Sequence, residues 1–254
     1  MDLSELTARL DERLRTDDYA DIDASANGLQ VGPEEAAVEH VAFAVDAAEA
    51  TIWDAVDAGA DLLVVHHGLS WGGFDRVTGR TYDRIAPLLQ EDLPLYVSHL
   101  PLDGHQELGN AAGLADLLGL VDTEPFGALG PEWIGQRGHA DEPFTVAELR
   151  AHLDNLDQGG QTTQVLAHGP DEIEEVAIVT GSGADWLDEA VDAGADALVT
   201  GEGKQQLFHE SREAGINVFL AGHYATETFG VQALESLASE WGLETTYVDH
   251  PTGL

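Results

Sequence analysis

The sequence predicts an α/β protein built as two similar three-layer α/β/α units from an internal duplication, with mostly parallel sheets. Three observations carry that expectation. Short apolar runs alternate with stretches of helical apolar spacing, the pattern that makes crossover connections and sheets covered on both faces. The string VDAGAD occurs at Val56–Asp61 and again at Val191–Asp196, 135 residues later. At 254 residues the chain is long enough for two cores.

The elements follow in order. Residues 3–14 and 146–156 carry apolar side chains at helical spacing. Short apolar strands follow at 40–45 and 176–179, each after an acidic, turn-like segment. Residues 50–58 and 185–193 form helices stopped by Gly59 and Gly194, the residue type that takes a left-handed cap. Buried strands come next at 62–65 and 197–199, and further strands at 95–97 and 218–220. Other matches support the repeat: Glu39 and Val41-Ala42 with Glu174 and Val176-Ala177 at the same offset, and Glu5-Leu6 with Glu148-Leu149 at an offset of 143. A first unit over residues 1–125 and a second over 126–254 are therefore expected, joined in the Gly/Pro-rich stretch from Thr123 to Asp141.

Composition removes whole classes of chemistry. Forty-eight acids face ten bases, of which only Lys204 is a lysine, for a formal net charge of −38. Such a surface repels phosphate backbones and anionic lipid, so nucleic acid is disfavoured as a partner. Spread along the chain rather than blocked, the acids fit a salt-rich cytoplasm, where a Debye length of about 3 Å near molar salt screens self-repulsion. No stretch reaches the ~20 apolar residues of a membrane span, and the N-terminus lacks a basic-then-apolar leader; a cytoplasmic location is expected. Cysteine is absent, so any metal must be held by His, Asp and Glu.

Polar groups gather where ligands of parallel sheets bind, beyond the carboxyl ends of strands. His66-His67-Gly68 follows the strand at 62–65, and Ser98-His99 with Asp103 follows the strand at 95–97. Thr200-Gly201-Glu202-Gly203-Lys204 and Gly222-His223 with Glu227 follow the strands of the second half. Adjacent histidines inside a strand would face opposite ways, but at a turn both can swing to one crevice and serve two neighbouring metals. His223 and Glu227 share one face if a helix starts after Gly222. A carboxylate can bridge two cations and imidazole cannot, which makes Glu227 the candidate bridge. Against this stand plain readings: a histidine is equally at home on a surface or in a core, and Asp103 is one of many acids.

In this order the segments resemble the YbgI-type dinuclear-metal-centre family, labelled GTP cyclohydrolase I type 2 or Nif-three-like. The matching pieces are Asn27-Gly28-Leu29-Gln30, His66-His67-Gly68 with Trp71, Ser98-His99-Leu100 with Asp103, Gly181-Ser182-Gly183, Thr200-Gly201-Glu202, and Gly222-His223-Tyr224-Ala225-Thr226-Glu227. The resemblance implies one metal on His66, Asp103 and Glu227 and another on His67, His223 and Glu227. It also implies a cleft between two three-layer units, and toroidal hexamers. Gly68 replaces a proline common in relatives, which predicts a looser turn.

Two divalent ions can activate water and stabilise an oxyanion; zinc, iron, manganese, nickel and cobalt all accept such ligands. The expected activity is metal-dependent hydrolysis of a nucleotide or related phosphorylated small molecule, GTP ring-opening being one case. The alternative is a metal-dependent binding, scaffold or regulatory protein without turnover. Glu202 and His99 are candidates for proton transfer. Lys204 is a candidate grip for a substrate anion, with an incidental surface lysine as the other reading.

Overall fold

A computed structural model describes residues Met1–Leu254. The chain begins α1 (Leu3–Leu14), β1 (Gly28–Val31), β2 (His40–Asp46), α2 (Glu49–Asp57), β3 (Leu62–His67), α3 (Arg80–Gln90), β4 (Leu95–Val97) and α4 (Leu100–Asp103). It continues α5 (Asn110–Leu118), β5 (Val121–Leu129), β6 (Glu132–Thr145), α6 (Val146–Leu153), β7 (Gln164–Leu166) and β8 (Glu172–Ile178). Then come α7 (Leu187–Asp192), β9 (Ala197–Thr200), α8 (Leu207–Ala214), β10 (Asn217–Leu220), α9 (His223–Thr226), α10 (Thr228–Glu240) and β11 (Glu244–Tyr247). No helix is long and apolar enough to cross a membrane.

Two compact units emerge: Met1–Leu102 with Gly230–His250, and Asp103–Phe229 with Pro251–Leu254. These differ from the contiguous halves 1–125 and 126–254, for two physical reasons. β11, close to the C-terminus, hydrogen-bonds in parallel to β2, so it belongs with the first sheet. α5 packs its apolar face, Ala111, Leu114, Ala115 and Leu118, into the core of the second unit.

The first sheet has the order β1-β4-β3-β2-β11, with its inner strands parallel and β1 antiparallel at one edge. Alternate residues of its strands face opposite layers. Ala42, Ala44, Leu63, Val65, Leu95 and Val97 pack against Ile52 and Ala55 of α2 and Leu88 of α3. α1 lies on the other face, where Tyr96 donates its hydroxyl to Asp11 at 2.8 Å. α1 itself is capped by Asp2, which accepts from the Ser4 amide, and buries Leu3, Leu6, Leu10 and Leu14, the i, i+3, i+4 stripe that makes an amphipathic helix.

The second sheet runs β5-β6-β8-β9-β10-β7. Its β8-β9-β10 centre is parallel, and β7 pairs antiparallel at the edge. The expected joining stretch, Thr123 to Asp141, is not a linker: it lies within the antiparallel β5–β6 pair. Its glycines and prolines signal a loop, yet Gly127 takes φ +76 within β5 and Gly130 takes φ +61 in the turn, where a glycine relieves backbone strain inside or between strands. α6 starts in a capping box between Thr145 and Glu148, which fixes its N-terminus at the predicted residue.

The duplication is written in hydrogen bonds. The Asp61 carboxylate accepts from the amides of Glu39 and His40 at 2.9 and 3.0 Å. The Asp196 carboxylate accepts from Glu174 and Glu175, both at 2.9 Å. Strand registers repeat as well, Val41 opposite Leu62 and Val176 opposite Ala197. VDAGAD thus encodes a helix C-terminus, a left-handed glycine turn (φ +72 at Gly59, +76 at Gly194) and an aspartate that ties the next strand to its neighbour. Asp61→Ala and Asp196→Ala should each cost about 2 kcal/mol, since each strips a charged acceptor from two amides. Chemical unfolding in high salt measures this; a cost confined to one of the two would break the equivalence.

Candidate metal centre

In the first unit the polar groups sit at the carboxyl ends of parallel strands. β3 runs through both histidines, because His67 still pairs in register with Asp46; the expectation that they lie beyond the strand is corrected by one ladder step. Their rings nevertheless approach to 4.6 Å between centroids. His66 is fully buried and donates Nδ1–H to the Ser98 carbonyl at 2.9 Å. His67 Nδ1 lies 2.9 Å from Asp46 Oδ1. His99 Nδ1 lies 3.0 Å from Asp23 Oδ1. Oxygens that only accept hold the proton on Nδ1, which makes Nε2 the nitrogen of each ring that can ligate.

Asp23 is the hub of this arrangement. Its side chain is 1% exposed, and besides His99 it accepts from Asn27 Nδ2, the Ser25 amide and the Leu100 amide at 2.8 to 3.0 Å. Burial pushes its carboxyl up, but the hydrogen bond and charge of His99, with Asn27 and Ser25, outweigh that and hold it below the usual range. Asn27 also accepts from the His99 amide at 2.8 Å. Gln30 accepts from the amides of Leu69 and Ser70. The turn at Gly68 is accordingly tight, not loose: a Cβ there would meet Val97 at 2.6 Å and the Gln30 amide at 2.8 Å.

The second unit contributes carboxylates. α9 starts at His223 after Gly222, whose φ is +93, and brings His223 Nε2 to 3.2 Å from Glu227 Oε2, as the four-residue spacing predicts. Buried Asp103 accepts from Asn110 Nδ2 at 2.8 Å and Thr180 Oγ1 at 3.3 Å. An Asp103 oxygen and a Glu227 oxygen lie within 4.8 Å of each other. Beneath them Gly181 is left-handed, and a Cβ on it would come within 2.1 Å of Glu227 Oε1. Thr226 clamps that glycine, accepting from its amide at 3.1 Å while donating to Gly222 O at 2.9 Å.

Charge defines the chemistry here. Burial alone would lower the His223 pKa, but Glu227 and then Glu202 outweigh it and raise it to about 9. Glu202 is held below the ordinary carboxylate range, chiefly by the Ser182 hydroxyl and then by the charge of His223. Glu202 is thus an ionised, half-exposed carboxylate 3.3 Å from His223 Nδ1. Two buried carboxylates this close repel unless a cation or proton intervenes.

These buried His, Asp and Glu groups could hold a metal ion. The first unit offers His66, His67 and His99, with one nitrogen of each within 4.8 Å of the others; the second offers Asp103, His223 and Glu227. All are nitrogen and oxygen donors suited to first-row divalent ions, and the Nδ1 hydrogen bonds are the outer partners that ligating histidines require. His99, expected as a proton-transfer group, stands among the nitrogen donors. Lys204 is half-exposed and paired with Asp185 at 2.6 Å, so its charge is already engaged. Asp23, Asp46, Asn110 and Thr180 escaped sequence reasoning, since one Asp among 48 acids carries no local signal; Asp46 alone was legible in principle, through its register with His67.

The chain is of a class of duplicated α/β proteins in which each unit gathers His, Asp or Glu groups that could hold a metal ion. The family model for Duf34/NIF3 (NGG1p interacting factor 3) matches residues 1–252, and the chain belongs to this family. Among its relatives, a "GTP cyclohydrolase 1 type 2 homolog" of Halobacterium salinarum is 60% identical over the whole of both chains. A protein of the same name from Escherichia coli is 38% identical over 98% of each chain. Of solved structures, protein ybgI, a protein of unknown function, superposes with a TM-score of 0.91 at 35% identity over both full chains. TTHA1606 of Thermus thermophilus does so at 0.90 and 41%, again over both full chains.

Asp46→Ala removes the acceptor that holds His67 Nδ1, and should weaken metal binding about 10–100-fold without changing the melting temperature of the metal-free protein. Competition with a chromophoric chelator measures it; unchanged affinity would show that His67 needs no such anchor.

Proposed function

We propose that the two donor sets serve a single two-metal centre and that the protein is a metal-dependent hydrolase of a nucleotide or related phosphorylated small molecule. In this reading His66, Asp103 and Glu227 hold one ion, and His67, His223 and Glu227 hold the other. The observation that carries it is the anchoring of His66 and His67 through Nδ1, combined with Glu227 beside both Asp103 and His223. The name shared by the relatives supports a nucleotide as substrate. When bound, the ions would supply Lewis-acid activation of water and charge stabilisation at the reacting centre.

The chain's own residues have defined tasks. Asp46, the Ser98 carbonyl and Asp23 orient the imidazoles. Gly181 leaves room for Glu227 where any side chain would displace it. Glu202, ionised and steadied by Ser182 and His223, accepts a proton at its carboxylate. Ring-shaped hexamers and a salt-rich cytoplasm belong to the same proposal, the latter supported by the acidic composition and the Halobacterium relative. A binding or scaffold role without turnover is the reading that replaces it if conversion is absent.

Elemental analysis of protein purified in high salt should give about two metal equivalents per chain, falling sharply in Glu227→Ala. A chain that neither carries nor takes up metal would end the proposal. Glu202→Gln should keep its metals and lose at least about 100-fold in turnover, the scale of a lost general base; full turnover in that variant removes Glu202 from the mechanism.

A further inference from the structure

Basic residues are scarce in this chain, and half of the ten are seen paired with a carboxylate. Arg9, Arg15, Arg137, Arg150 and Lys204 are each held by a carboxylate. Arg76, Arg80 and Arg84 form no ion pair or hydrogen bond; Arg212 on α8 shares that property, but only these three gather within one nine-residue segment. With 48 acids against ten bases, a random surface arginine should find a carboxylate easily. Asp83 lies within this segment and Asp75 immediately before it, and neither pairs with these guanidiniums.

The segment is shaped as well as charged. Arg80 and Arg84, one helical turn apart on α3, line a cavity of about 210 Å³ with Leu69 and Thr81. Thr81 also lines an adjoining open depression of about 680 Å³ formed with Gly73, Phe74, Asp75 and Arg76. Leu69 is two residues beyond His67, at most about 7 Å of extended chain. Trp71, 47% exposed, packs on His67 and His99 with ring centroids at 6.0 and 4.9 Å. The arginines are thereby tied, within one unit, to the histidine cluster.

We propose that Arg80 and Arg84, with Arg76 at the rim, form an anion subsite for a phosphate group of the substrate, beside the histidines of the first unit. Guanidinium presents paired N–H donors that match phosphate oxygens, and two of them one turn apart can grip a single group. The smaller cavity takes the phosphate because no carboxylate lines it. The larger one contains Asp75, which repels an anion, and a partly exposed Phe74, which offers a face to an uncharged ring; it suits the rest of the molecule. In so acidic a protein a local positive site also corrects the long-range field that would otherwise turn a phosphorylated ligand away. The role foreseen for Lys204 falls instead to these arginines. The ligand's identity rests on the hydrolase reading above; the site's location rests on the arginines.

Titration calorimetry with inorganic pyrophosphate tests this, using the full chain at the lowest salt that keeps it folded, with metal content measured in parallel. Wild type and Arg212→Gln, an arginine on α8, should bind alike. Arg80→Gln/Arg84→Gln should bind about 100-fold more weakly, roughly tenfold for each charged hydrogen-bonding group lost, with metal content and melting unchanged. Equal binding by the double variant, or no binding by wild type, overturns the subsite. Glu227→Ala separates the two readings. If it lacks metal yet binds pyrophosphate through the arginines, the subsite stands whatever becomes of the hydrolase. If it fails to bind while Arg80→Gln/Arg84→Gln binds normally, the anion is held by metal and the subsite falls alone.

Discussion

Parallel strands in register carry their carboxyl ends to one edge, and the whole histidine cluster depends on that geometry. Val65 lies opposite Val97 and Asp46 opposite His67, so residues far apart in sequence leave the sheet side by side. The Ser98 amide still bonds to Val65 O at 3.0 Å, and its carbonyl is then placed to accept from His66. A slip of one residue in β2 or β3 would send Asp46 to the opposite face from His67. The anchors of His66 and His67 are therefore consequences of sheet register, whereas His99 is held by Asp23 from the segment that precedes β1.

The acidic composition creates two populations of carboxylate that behave differently. Most are solvated, where charge costs little and salt screens it. Asp23, Asp103 and Glu227 are buried, where an ionised group survives only with donors or cations around it. Asp23 finds donors in His99, Asn27 and two amides. Without a bound cation Glu227 is balanced by the His223 imidazolium, whose pKa Glu227 and Glu202 raise to about 9 despite burial; a bound metal ion would take the place of that proton. The same reasoning sets apart Arg76, Arg80 and Arg84, three cations without carboxylates gathered in one segment of so acidic a chain.

Duplication supplied the framework, and divergence supplied the chemistry. Asp61 and Asp196 perform the same structural task 135 residues apart. At that same offset Asp46 corresponds to Gly181 and His67 to Glu202. One copy turned its strand ends into an anchored imidazole cluster; the other turned its ends into a glycine floor under a carboxylate. Like folds thus carry unlike donors.

By itself the sequence determined the α/β class, the positions of α1, α2, α6, α7 and of strands β2, β3, β4, β8, β9 and β10, the repeat and the candidate ligands, because helical spacing, short apolar runs and glycine stops act over a few residues. His66-His67 and the His223-to-Glu227 spacing were legible for the same reason. Only the tertiary structure decided that Thr123–Asp141 pairs as strands, that β11 returns to β2, and that Asp23 and Asp46 hold the histidines. It also decided which arginines stay unpaired and that Lys204 does not. Each of these turns on pairing between distant segments, and neither composition nor periodicity says which acid meets which base.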